Sequence, residues 1–194
     1  MLIDQIMISD DIVNDVTKVF DEVKHKPENV YDGKNCTRYG LQTKNIIQLE
    51  DFQPLKESLL KIKSSIEQQL NTPLQYYAAH FIEYETGGYQ ALHDHGRNNQ
   101  EDISYILYLS DSVWTQEKMK PRPPDAEQLQ LDINSDGQTY FEMENFDDRR
   151  LSYQIHTFPK VGKLVFFESS IMHGAHETRN MKKVLVGGLK FVDT

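Results

Sequence analysis

The spacing of apolar positions changes along the chain, and each change predicts a different element. Leu2 to Ile8 is a short apolar segment that reads as a first strand. Ser9-Asp10-Asp11 then supplies helix-capping side chains, and Ile12, Val16, Val19, Phe20 and Val23 recur at helical spacing to about Lys24. That stripe is a core-packing face. Lys26 to Lys44 is polar and rich in turn residues, and a brief strand is expected within Thr43 to Leu49. Pro54 suits the first turn of a second helix running to about Leu70, with Leu55, Leu59, Leu60, Ile62, Ile66 and Leu70 apolar. Asn71-Thr72-Pro73 ends it. Residues 1–73 thus read as an N-terminal helical layer.

From Leu74 the texture becomes aromatic and β-favouring, with Tyr76, Tyr77, His80, Phe81, Ile82 and Tyr84. A Gly87-Gly88 turn separates this strand from a short one that carries His93 and His95. Further strands are expected at Ile103 to Leu109, Gln138 to Glu142, Ser152 to Phe158, Lys163 to Phe167 and Val184 to Val192. Trp114 to Asp136 is an acidic, proline-containing insertion, read either as a lid or substrate loop or as a surface excursion. Helices followed by many strands predict a mainly β fold (α+β), a sandwich or partly open barrel with the helices packed on one sheet. The expected organisation is a single domain over 1–194, with the β core at 74–194.

Composition narrows the function classes. The chain has 194 residues and a formal net charge of −9, which argues against a general nucleic-acid or anionic-membrane surface. Its single cysteine, Cys36, excludes an internal disulfide and suggests a reducing compartment. The N-terminal residues lack a basic start with a long apolar run, and no window is long enough to cross a bilayer. The expectation is a soluble, cytoplasmic protein.

The candidate chemistry centres on His93-Asp94-His95. Alternate side chains of a strand share a face, so His93 and His95 point one way and Asp94 the other. Two converging imidazoles suit a borderline metal such as iron, zinc or copper. A third ligand is sought after the apolar strand Gly162 to Phe167, where His173 is the leading candidate and His176 the competing one. Arg179 and the adjacent Lys182 and Lys183 follow at the start of the last strand. A cation entering a barrel there can clamp a carboxylate. A metal with open positions plus such a cation is what a bidentate keto-acid cosubstrate requires.

Tyr84, Gly87-Gly88, His93-Asp94-His95, Tyr108, Gly162-Lys163-Leu164-Val165-Phe166-Phe167, His173 and Lys182-Lys183 occur in an order and spacing that resemble the iron(II)- and 2-oxoglutarate-dependent dioxygenases, especially their prolyl-hydroxylase-like branch. The resemblance covers roughly Leu74 to Val192. It implies a double-stranded β-helix, or jelly roll, with Fe(II), 2-oxoglutarate and O2 as cofactor and cosubstrates. It makes His93 and His173 iron ligands and gives the distal carboxylate of 2-oxoglutarate to Lys183 (or Lys182), with Tyr84 and Tyr108 in support. The sequence departs from the family at His95, where an Asp is usual. Imidazole in place of carboxylate makes the centre more positive by about one charge. His95 is taken as the second ligand, with Asp94 through a local bulge as the alternative.

Bland readings stand beside these. His25, His80 and His156 read as ordinary polar residues, of which only His156 could lie near the cavity, and His176 as outer-layer or exposed. Tyr84 and Tyr108 also suit plain barrel filling. Arg179, Asp147 to Arg150 and Glu101-Asp102 read as loop or solvated charges. The functional expectation is an oxygenase that couples 2-oxoglutarate decarboxylation to hydroxylation of a small molecule or peptidyl residue. The alternatives are a cupin-like metalloprotein without 2-oxoglutarate (a three-histidine dioxygenase or an isomerase) and a non-catalytic jelly-roll binding module. Nucleic acid and membrane are not expected partners.

Overall fold

The computed structural model describes residues 2–23, 37–48, 55–95, 101–111, 136–143 and 153–192. Among these residues two helices, α1 (Asp10–Val23) and α2 (Lys56–Leu70), accompany nine strands. The strands are β1 (Ile3–Met7), β2 (Thr37–Gln42), β3 (Leu74–His93), β4 (Ile103–Tyr108), β5 (Thr139–Met143), β6 (Tyr153–Thr157), β7 (Lys163–Glu168), β8 (His173–Ala175) and β9 (Lys182–Phe191). They form one antiparallel sheet in the order β1-β7-β4-β9-β3-β8-β5-β6, with β2 on the outer edge of β3.

The sheet curls because β3 belongs to both halves. Leu74 to Tyr84 pairs with β9, whereas Gln90 and His93 pair with Ala175 and His173 of β8. The corner falls at Gly87, whose φ is 85°, and at Gly88, where a Cβ would press on the Tyr39 and Glu85 carbonyls. The result is the rolled, jelly-roll arrangement of a double-stranded β-helix. The expected Gly-Gly turn between two strands is instead a bend within one continuous strand.

Two apolar cores lie on either side of the β1-β7-β4-β9-β3 half. Odd-numbered residues of β4, Ile103, Tyr105 and Leu107, face the helices together with Phe166, Leu185 and Leu189. Against them pack Val13, Val16 and Phe20 of α1 and Ile62 and Ile66 of α2, each worth roughly 1.5–3 kcal/mol on burial. Phe20 meets Phe81 of β3 edge-on, ring centroids 4.8 Å apart. Even-numbered positions, Ile106 and Tyr108, face the inside of the roll with Ile82, Tyr84, Val165, Phe167 and Val184. Burial on both faces explains why these strands read as continuous apolar runs.

Several expectations need correction. The predicted polar connection hides β2, a strand of Thr37 to Gln42 that among the described residues pairs with β3 alone, and Ile46 to Gln48 is a 3-10 turn rather than a strand. Leu60 does not join the core; it is 46% exposed. α2 does end as expected, on Asn71 in the left-handed conformation, with its backbone N–H donating to the Glu67 carbonyl. The Glu67 carboxylate also accepts from Leu74 N at 2.7 Å and so ties the helix end to the start of β3. His25, Cys36, Pro54, residues 144–152 and 114–135 of the insertion lie outside the described residues. Among the described residues no helix is long and apolar enough to cross a membrane.

Candidate metal centre

His93 ends β3, and its register partner across the ladder is His173 of β8. Their ring centroids are 4.3 Å apart. His95 follows two positions on, on the same side as His93, with centroids 4.9 Å from His93 and 5.1 Å from His173. One nitrogen from each of the three lies within 4.8 Å of the others. Among the described residues this is the cluster able to hold an ion, and it includes His95 rather than Asp94.

The second nitrogen of each ring explains which one is free. His93 Nδ1 is 2.8 Å from the Ala91 carbonyl and His173 Nδ1 is 2.8 Å from the Ile171 carbonyl. A carbonyl only accepts, so each Nδ1 must carry the proton and each Nε2 keeps its lone pair. His95 Nδ1 is 2.5 Å from Glu101 Oε1, which sets the same tautomer. Three imidazoles with Nδ1 anchored and Nε2 left to ligate are a donor set that fits a borderline metal such as iron. Burial, reinforced by the adjacent His95, pushes His93 down to about 4. Burial, then His93 and His95, holds His173 well below the usual histidine range. Neither ring has to lose a proton near neutral pH before it can ligate.

His173 opens a strand of its own. β8 is only three residues long, with β3 on one side and β5 on the other. His176 falls just beyond it and turns away: its ring stacks on His156 at 5.2 Å and meets the Tyr140 ring at a tilt, centroids 4.6 Å apart. His156, the one of the bland histidines that could have lain near the cavity, belongs to this outer group. His80 accepts the opposite correction, because it lines the cavity while its Nδ1 is held by the Thr43 carbonyl at 2.9 Å.

Of the two lysines, Lys182 enters the roll. It is 4% exposed, and its Nζ lies 5.0 Å from the Tyr84 ring centroid and 5.5 Å from that of Tyr108. Among the described residues its one hydrogen-bond acceptor is the Gly137 carbonyl, at 2.6 Å, which engages one of three donors. Burial lowers it from 10.5 to about 7, with the buried Asp136 pulling the other way. Lys183, the preferred candidate from sequence, faces the helical layer and pairs with Asp21 at 2.6 Å. Tyr108 donates to or accepts from Thr139 Oγ1 at 2.6 Å, and Tyr84 donates to Gln90 at 3.3 Å. Arg179 is held at its backbone, donating to Asp136 at 2.9 Å.

A cavity of about 200 Å³ opens on the three histidines and is lined further by Phe167, Ile106, Val186 and Tyr77; Lys182, Tyr84 and Tyr108 are not among its lining residues. Sequence reasoning missed Gln42 and Gln90 on its wall and Glu101 beneath His95. Glu101 was expected in solvent but is 8% exposed.

A model of the 2OG-Fe(II) oxygenase superfamily matches residues 79–188, which span the whole histidine and lysine set. Among solved structures, a Pseudomonas putida prolyl-4-hydroxylase is similar at 17% identity and a TM-score of 0.65, covering 98% of this chain and 93% of that one. A Trichoplax adhaerens prolyl hydroxylase, in complex with a hypoxia inducible factor peptide fragment, is similar at 12% identity and a TM-score of 0.66, covering 98% and 83%. A non-heme alpha-ketoglutarate-dependent epimerase from nogalamycin biosynthesis is similar at 11% identity and a TM-score of 0.68, covering 97% and 76%. Among curated proteins none matches by sequence.

Proposed function

The chain belongs to the 2OG-Fe(II) oxygenase superfamily, and from that premise we propose that it hydroxylates a C–H bond of a small molecule or a peptidyl side chain. Iron(II), 2-oxoglutarate and O2 are the family's cofactor and cosubstrates. In this reading His93, His95 and His173 hold the iron, and Lys182 holds the distal carboxylate of 2-oxoglutarate, with Tyr84 and Tyr108 beside it. The observation that carries the reading is the three anchored imidazoles and the buried, under-coordinated Lys182 inside one roll.

Each residue has a physical task. The Nδ1 anchors of His93 and His173 keep Nε2 aimed inward without a rotational search. Lys182 offers a cosubstrate carboxylate two N–H donors in a low-dielectric site, where a charge-assisted bond is strong. Tyr108 and Thr139 form a hydroxyl pair next to the ammonium that can re-orient toward the same carboxylate. Val186, Ile106 and Phe167 give the cavity beside the three histidines an apolar wall. When bound, the iron supplies the oxidising chemistry that couples decarboxylation of the keto acid to attack on a C–H bond. The cavity is small, so a substrate must present one side chain or one small molecule to it.

Support for hydroxylation comes from the two prolyl hydroxylases among the similar structures, although an epimerase is among them too. A reading without 2-oxoglutarate draws on His95, but it leaves the buried ammonium of Lys182 without a purpose. The test is coupled turnover: purified protein with iron(II), 2-oxoglutarate and a panel of amino acids and peptides should form succinate in step with a product bearing one added oxygen. Product formed without succinate would overturn this reading.

A further inference from the structure

A carboxylate is seldom buried without a partner, because ionised oxygen taken from water must be repaid in hydrogen bonds. Glu101 is buried beneath His95, outside the inner donor set and six residues further along the chain. Its Oε1 accepts from His95 Nδ1 at 2.5 Å and from Ser104 Oγ at 2.7 Å. Ser104 is in turn 3.0 Å from Ser169 Oγ.

The backbone is built around this carboxylate. Ser104 pairs with Gly188 of β9, and a Cβ at Gly188 would collide with the Glu101 carboxylate, so glycine leaves the space that the acid fills. His95 N donates to the Ser169 carbonyl at 2.9 Å, Ser169 N to the Asp102 carbonyl at 3.0 Å, and Asp102 N to the Leu189 carbonyl at 2.9 Å. His95 and Glu101 are thus pinned to one frame from both sides. The three histidines are also not equivalent. His93 and His173 rest on backbone carbonyls, whereas His95 rests on a side-chain carboxylate.

We propose that Glu101 is a positioning residue for the metal centre, holding His95 by its Nδ1–H and placing one negative charge behind that imidazole. The inference rests on the reading of His93, His95 and His173 as ligands. A carboxylate on the far nitrogen fixes the ring's tautomer and orientation and strengthens it as a ligand. Three histidines with Glu101 therefore present the ion with the overall charge of two histidines and a carboxylate. The anion has moved outward by one ring, and the ligand that touches the ion is neutral.

The test uses the full-length protein and cobalt(II) or iron(II) as the probe, under anaerobic conditions, with affinity measured by competition against a chromophoric chelator. Glu101→Gln keeps the shape and an acceptor oxygen but removes the charge; Glu101→Ala removes both. The expected result is a loss of affinity of about 10- to 100-fold for Glu101→Gln, a shifted cobalt absorption spectrum, and an unlowered melting temperature without metal. Glu101→Asp should recover part of the affinity. Binding by Glu101→Gln within twofold of wild type, with an unchanged spectrum, would overturn the proposal. If Glu101→Ala fails to fold, the near-isosteric Gln variant still decides. Wild-type protein that takes up neither ion would overturn the ligand reading itself. Wild-type protein that binds the ion but not 2-oxoglutarate would overturn the hydroxylase reading and leave the Glu101 comparison intact.

Discussion

Lys182 and Lys183 are neighbours at the start of β9, yet their ammonium groups lie on opposite faces of the sheet. Lys182 lies inside the roll between Tyr84 and Tyr108; Lys183 lies outside it on Asp21 of α1. The alternation of a strand forces the split, and it assigns them different consequences. Lys182→Met should weaken 2-oxoglutarate binding by at least about 30-fold, ~2 kcal/mol, the lower end for deleting one partner of a buried charged bond. Lys183→Met should leave it within twofold and cost at most about 1 kcal/mol of stability, because its pair with Asp21 is partly solvated. Isothermal titration with metal-loaded protein, beside thermal unfolding, distinguishes the two.

The same lysine predicts a pH dependence. Burial lowers Lys182 from 10.5 to about 7, so without cosubstrate it loses its charge as pH rises through 7. Binding the carboxylate requires the ammonium, so affinity for 2-oxoglutarate should be level below pH 7 and fall above it, with proton uptake on binding. Titrations from pH 6 to 9 in buffers of different ionisation enthalpy measure both; a flat profile in the wild type, or a fall above pH 7 that survives in Lys182→Met, would contradict this. The stability linkage has a definite sign. Between about 7 and 10.5 the unfolded chain holds the Lys182 proton and the folded chain does not, so this group makes stability rise with pH in that window. Lys182→Met should remove that contribution.

Much of this was legible in the sequence, and the losses have identifiable causes. α1 showed in its apolar spacing, and β4, β7 and β9 as apolar runs bounded by turn residues. The histidine cluster showed in strand parity, which carried from His93 to His95 even though β3 ends at His93. β2 was hidden because an edge strand that pairs on one side needs little apolar character; Arg38, Gly40 and Gln42 carry none. β8 is too short to have a pattern, and its existence depends on β3 and β5. The inward lysine was not decidable because Val184-Leu185-Val186 is buried or half-buried on both faces, so polarity did not mark the phase of β9. Glu101 looked like a surface acid because its burial depends on a glycine in a distant strand.

His95 and Asp94 offer a direct contrast. Asp94→Asn should leave metal affinity within twofold, whereas His95→Ala should lower it by more than the about 10- to 100-fold typical of an outer partner. His173→Ala should behave like His95→Ala, and His176→Ala like Asp94→Asn, since His176 stacks on His156 away from the cluster. Chelator competition on the four variants gives the comparison.

Gly188→Ala tests the space that Glu101 occupies. The added methyl runs into the Glu101 carboxylate and should destabilise the protein by about 1–3 kcal/mol. Combining it with Glu101→Ala removes the collision, so the double variant should lose less stability than the sum of the two single ones. Urea unfolding of the three variants and the wild type measures the coupling; strict additivity would contradict the contact.

The central claim is that three histidines and one buried lysine hold iron(II) and 2-oxoglutarate together. It is tested most directly by the visible metal-to-ligand charge-transfer band formed when both are added anaerobically to the protein. The wild type, Lys183→Met and His176→Ala should give the band, and His173→Ala and Lys182→Met should lose it at the same concentrations. Absence of the band in the wild type at saturating iron and cosubstrate, or its full persistence in His173→Ala and Lys182→Met, would contradict the account.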